Sequence, residues 1–206
     1  VTETVSSDAA TPLLDFMLIG SWWHVALDSD VGIARSAKRL AEEVTGRHDA
    51  FAQVRMELRQ DVVRAARAAR RAGGTDFWFA RQLVPDLHLP VNLTVYWPEV
   101  ERDSAVTDLD AETAAFADGI GRAGGGQVEV VALLEDWGVV RSRVVRRGED
   151  TQAGAFDQLA VAYWLLPPDQ GKVCMLEFGS PATAVADELV ELFDVVVGSV
   201  SVRPAD

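Results

Sequence analysis

The sequence predicts an α+β fold, a central, largely antiparallel sheet with helices packed on it as an α/β sandwich. Three observations carry this. Apolar residues recur every three to four positions through two stretches, from Val31 to Val44 and from Phe51 to Ala69. From Asp76 onward an alternation of period two dominates. Short turn sequences join the later alternating segments, which favours neighbouring antiparallel strands over parallel crossovers.

Ser21 to Leu27, rich in aromatic and branched residues, reads as the first strand. Asp28 to Asp30 offers an N-cap. The helix that follows carries Ile33, Ala37, Leu40, Ala41 and Val44 on one face, and Gly46 ends it. Asp49 is expected to cap a second helix whose buried stripe is Phe51, Val54, Leu58, Val62, Ala65 and Ala69, with Gly73-Gly74 as the stop. Asp76 to Val84 is the next strand, Pro85 to Pro90 a turn region, and Val91 to Trp97 a half-buried strand. Asp110 is expected to cap a helix running through Ile120. Gln127 to Asp136, Val139 to Arg147, Phe156 to Leu166 and Lys172 to Phe178 read as successive strands. The last two are joined by the turn sequence Pro167-Pro168-Asp169-Gln170-Gly171. Ser180-Pro181 is a helix start, with a hydroxyl cap followed by proline where its missing N–H costs nothing. Ala182, Val185, Leu189, Leu192 and Val196 face inward, Gly198 stops the helix, and Val200 to Val202 closes as a short strand.

Residues 1–12 read as a mobile tail and 13–206 as a single domain, because no linker rich in proline, glycine or charge divides them. The opening residues lack a basic stretch followed by an apolar core, so they do not form a secretory signal as they stand. The longest apolar run, about ten residues near Leu159, is half of the roughly 20 needed to span a bilayer. A cytoplasmic location is therefore expected. The chain has 206 residues, a net charge of −13, one cysteine and three histidines (His24, His48 and His88). Cys174 alone excludes an internal disulfide framework and a multi-cysteine zinc site. The acidic balance argues against nucleic-acid binding, because phosphate backbones attract positive charge.

The segment Cys174-Met175-Leu176-Glu177-Phe178-Gly179-Ser180, the following helix, and Phe193 through Ser199-Val200 resemble the end of the PsbP-like fold. The segment from Gly20 to Asp28, the arginine-rich helix and Leu89 to Val95 are similar to a family of uncharacterised actinobacterial proteins associated with type VII secretion neighbourhoods. These resemblances cover residues 20–203. They imply a PsbP-like architecture and no catalytic residue, and that architecture hosts adaptors, lipoproteins and extrinsic subunits, so it does not by itself fix function.

No catalytic, cofactor-binding or metal-ligating set stands out, and no cofactor is expected. Gly119-Ile120-Gly121-Arg122-Ala123-Gly124 matches a dinucleotide-loop pattern but closes a helix and precedes a strand, the reverse of the order that presents a helix N-terminus to a pyrophosphate. Asp28-Ser29-Asp30 would open a calcium loop, but its twelfth position is Arg39 where a bidentate glutamate is needed. A better reading of that triplet is a helix cap. Cys174 lies in an apolar strand and reads as a buried thiol.

Two features invite a partner. Arg55, Arg59, Arg64, Arg67, Arg70 and Arg71 avoid the apolar stripe of the second helix and outnumber Glu57 and Asp61, which leaves a positive helix in an acidic chain. Arg141, Arg143, Arg146 and Arg147 form a second basic group. Such a face is either satisfied by the chain's own carboxylates or docks an acidic protein partner, with Arg55, Arg59, Arg67 and Arg70 as its contacts. The adjacent Trp22 and Trp23 must point to opposite faces of a strand, so one of them leaves its neighbour's surface and, with His24, marks a candidate site. The leading expectation is a non-enzymatic accessory or protein-interaction domain, linked through the resemblance to type VII secretion. Two alternatives stand beside it: a small-molecule-binding domain with a tryptophan-lined apolar pocket, and an enzyme whose site is assembled from distant residues.

Overall fold

The computed structural model describes residues 13–46, 48–83, 89–100, 102, 108–147, 157–168 and 172–203. The expected tail at 1–12, the turn residues 85–88 with His88, the loop at 148–154 and the turn residues 169–171 lie outside these.

A seven-stranded sheet dominates, and every pairing in it is antiparallel. Its strands are β2 (Ser21–Ala26), β3 (Gly74–Gln82), β4 (Asn92–Tyr96), β5 (Gln127–Val130), β6 (Gly138–Arg147), β7 (Asp157–Leu166) and β8 (Cys174–Ser180). In space they run β2-β3-β4-β8-β7-β6-β5. The meander from β5 to β8 thus folds back until its last strand docks on β4. A separate ribbon pairs β1 (Leu13–Asp15) with β9 (Ser201–Arg203). The closing strand was expected, but its partner β1, only three residues long, carries no readable alternation.

Helix α1 (Asp30–Thr45) starts at Ser29, whose hydroxyl accepts the Gly32 N–H at 3.0 Å. Helix α2 (Ala52–Arg71) follows a short 3₁₀ turn at Asp49–Phe51, and no side chain caps either start, contrary to the expectation for Asp49. Helix α3 (Leu109–Arg122) is capped by Asp108, not Asp110: one Asp108 oxygen accepts from the N–H groups of Asp110 and Ala111. The Ser180 hydroxyl accepts the Ala182 N–H at 3.1 Å as expected, but a 3₁₀ turn at Thr183–Val185 intervenes before α4 (Ala186–Val197).

The period-two alternation decides which helix meets which face. One face of the sheet presents Leu93, Val95, Leu159, Val161, Tyr163, Leu165, Leu176 and Phe178. These pack with Phe193, Val196 and Val197 of α4 into the larger core. The opposite face carries Val25 and Phe77, which pack with Ile33, Ala37 and Leu40 of α1 and Val62, Ala66 and Ala69 of α2 into a second core. Helix α3 covers that same face at the β5–β6 end, where its Phe116 meets Trp164 edge-on with centroids 5.6 Å apart.

Three further sequence expectations need correction. The stripe of α1 ends at Ala41, and Val44 is half exposed. Helix α2 is buried only from Val62 onward, at Val62, Ala66 and Ala69, with Leu58 and Ala65 partly buried. Phe51 and Val54 are half exposed, because the first turns of α2 lean on the end of α1 and not on the sheet. Strand β5 ends at Val130, although alternation continues to Leu134. The chain enters β5 through a sharp turn at Gly126, where φ is +77° and an added Cβ would lie 2.3 Å from the Arg143 carbonyl oxygen.

Candidate functional site

Each predicted surface residue has a definite place, and they do not converge. Trp22 faces the larger core and donates its indole N–H to the Ile19 carbonyl at 2.8 Å. Trp23, on the other face as the alternation requires, packs against the second core. It also borders a shallow hollow of about 320 Å³ with Arg39, Glu42 and Glu43. His24 is exposed. Its Nε2 lies 3.2 Å from Asp76 Oδ1, its ring centroid is 5.0 Å from that of Trp78, and the His24 hydrogen bond holds the Asp76 carboxyl below the usual range.

The arginines of α2 are largely engaged within the chain. Arg55 donates to the Gly46 carbonyl at the end of α1. Arg64 pairs with Asp61 at 2.9 Å, and Arg67 and Arg70 both reach Asp30, at 3.2 and 3.5 Å. Arg59 makes no such contact among the described residues. In the second basic group Arg141 bridges Glu129 and Asp194, Arg143 pairs with Asp187, and Arg146 stands 4.0 Å from Glu177. The buried Tyr163 hydroxyl donates to Asp194 at 2.6 Å, so Asp194 fastens α4 to the sheet.

A different surface emerges from the register. On the face shared by α1, α2 and α3, the strands β4, β8 and β7 bring nine residues into three rows: Asn92, Gly179 and Ala160; Thr94, Glu177 and Ala162; Tyr96, Met175 and Trp164. The strip is about 10 Å wide, from two strand spacings, and about 14 Å long, from four residue steps. Helix α2 packs on β3 at one flank and α3 on β5 and β6 at the other, and no described helix covers the middle. The burial contrast is sharp. On the α4 side, the same strands contribute Leu93, Leu159, Val161, Leu165, Leu176 and Phe178, all with no exposure. On this side Thr94, Tyr96 and Gly179 are buried, while Asn92, Ala160, Ala162, Trp164, Met175 and Glu177 are only part-buried.

The chemistry of the strip is graded. At one end the side chains of Asn92 and Gln158 converge on Gly179: a Cβ there would lie 3.0 Å from both terminal atoms of the Asn92 amide and 3.1 Å from Gln158 Nε2. In the middle Glu177 lies close to the Tyr96 phenol and 4.0 Å from Arg146, which offsets part of its charge. Burial, followed by the Glu177 charge, pushes the Tyr96 phenol up to about 12. At the far end Trp164 lies between Met175 and Val140. Its indole N–H is buried and makes no hydrogen bond to a described residue. Among the described residues no group of three or more His, Cys, Asp or Glu is placed to hold a metal, and no helix is long and apolar enough to cross a membrane.

Sequence reasoning missed this strip. The available signal was small residues where their strand neighbours are large: Ala160 and Ala162 in β7, and Gly179 in β8.

The chain is thus an α+β protein whose antiparallel sheet is clad by helices on both faces, with no described helix over its centre on one of them. No family model and no curated protein matches it. Among solved structures it is similar to LpqN of Mycobacterium tuberculosis, a protein described as involved in cell envelope biogenesis. The two share 10% identity and a TM-score of 0.45, with 97% of this chain and 88% of that one covered.

Proposed function

We propose that this protein is a non-enzymatic accessory domain that holds a partner over the open strip of β4, β8 and β7. The observation that carries this reading is the burial contrast within single strands. In β7 the residues facing α4 are sealed, while Ala160 and Ala162 on the other face stay accessible at the centre of a seven-stranded sheet. A sheet face normally lies beneath a covering element, so a set of small side chains with no described helix over it leaves a floor for something else. The resemblance to actinobacterial proteins from type VII secretion neighbourhoods supports an accessory role of this kind. The basic helix supports it less, because most of its arginines are already paired.

A photoreactive residue placed at Arg146, on the rim, tests the reading against one placed at Glu191 on the outer side of α4. Cross-linking in a native extract is expected from position 146 only, and to disappear when Ala162→Trp fills the floor while the melting temperature holds within a few degrees. Equal cross-linking from both positions, or a cross-link indifferent to Ala162→Trp, overturns it.

A further inference from the structure

We infer that the strip recognises an extended peptide segment of a partner protein, read through the carboxamides of Asn92 and Gln158. This rests on the binding reading above and names its partner class. The argument starts from Gly179. Because it has no Cβ, two planar amides approach the same point of the floor from neighbouring strands. Neither amide hydrogen bonds to a described residue, and both are only part-buried. A carboxamide sets a donor and an acceptor side by side, as a peptide bond does, so each can pair with a backbone N–H and C=O at once. Two such groups over one glycine can hold one peptide unit of an extended chain from both sides.

Charge and size agree. Net charge on the strip is small, because Arg146 offsets part of the Glu177 charge, and the amide end carries none. The strip therefore holds no strong charge to attract a charged ligand over a neutral one. A length of about 14 Å accommodates about four extended residues. The opposite end, made by Met175, Trp164 and the edge of Phe116, is apolar and suits one anchoring side chain.

The probe is a phage-displayed random heptapeptide library panned on the full chain, with enriched peptides then synthesised and titrated calorimetrically. Enriched sequences are expected to share an apolar residue and an uncharged centre. Affinity should fall about fivefold to tenfold in Asn92→Ala or Gln158→Ala, as for the loss of one or two hydrogen bonds, and stay unchanged in Glu191→Ala. Gly179→Ala is the sharper variant. It fills the cradle without a positive-φ penalty, so binding should drop while thermal stability is kept. No enrichment over the unpanned library, or enriched peptides indifferent to Asn92→Ala, Gln158→Ala and Gly179→Ala, overturns the inference. If position 146 still cross-links a species sensitive to Ala162→Trp in that case, the binding reading stands and the peptide reading alone falls.

Discussion

Tyr163→Phe tests what fastens α4 to the sheet. The hydroxyl is fully buried and donates to Asp194 Oδ1 at 2.6 Å, while Oδ2 of the same carboxylate takes Arg141. A hydrogen bond to a charged acceptor is worth about 1.5–3 kcal/mol, and the ring itself stays in place in the variant. For a chain of this length each kcal/mol moves the melting temperature by about 2–4 °C, so a fall of roughly 3–12 °C is expected. The edge-on contact of Tyr163 with Phe178, centroids 5.9 Å apart, survives the substitution, so the loss reports the hydroxyl alone. Calorimetric melting at neutral pH measures it. A shift under about 1 °C would show that Asp194 is satisfied by Arg141 without the phenol, and that the fastening reading is wrong.

Three further outcomes are expected. The chain has two tyrosines, and both phenols are raised by burial, Tyr96 to about 12 and Tyr163 further. Phenolate absorbance of the folded protein should therefore stay flat through pH 10–11, then rise as pH passes about 12 and folding stability is lost. The denatured chain should titrate near 10, and a half-amplitude step near 10 in the folded protein would contradict the burial of Tyr96. The Glu112 carboxyl is held below its ordinary 4.5 by its bidentate bond from Arg102, so the stability it adds is present above that value and lost as pH falls through the folded pKa. Glu112→Gln should lower the melting temperature at pH 7, and the gap to the parent should narrow below pH 4.5; a gap constant with pH counts against the pair. Burial pushes the Cys174 thiol up, so a thiol reagent should leave it untouched in the native protein and modify it fully in denaturant, and fast native labelling would mean the larger core opens.

The local periods of the sequence carried much of the architecture. The stripe from Ile33 to Ala41 and the alternation through Leu93, Val161 and Leu176 mark the sides that are buried. What spacing could not show is which strands become neighbours. β8 inserts beside β4, more than 70 residues earlier in the chain, and nothing local to either strand announces that pairing. The strip is built entirely from this non-local pairing, with residues 92–96, 158–164 and 175–179 side by side, so no motif could point to it. The tryptophans and arginines were conspicuous by type, yet Trp22 is spent on packing and Arg67 and Arg70 on Asp30. Side-chain chemistry alone does not tell a satisfied group from a waiting one, and that difference is settled by geometry.

Strand β7 has a further consequence. Its odd-numbered residues, Leu159 to Leu165, belong to the core, and its even-numbered ones, Gln158 to Trp164, belong to the open strip. The two duties sit on opposite sides of one backbone. Substitutions at 158, 160 and 162 can then accumulate without eroding stability, whereas those at 159, 161 and 163 cannot. Related chains could drift to new partners by changing every second letter of one short segment while the scaffold beneath stays as it is.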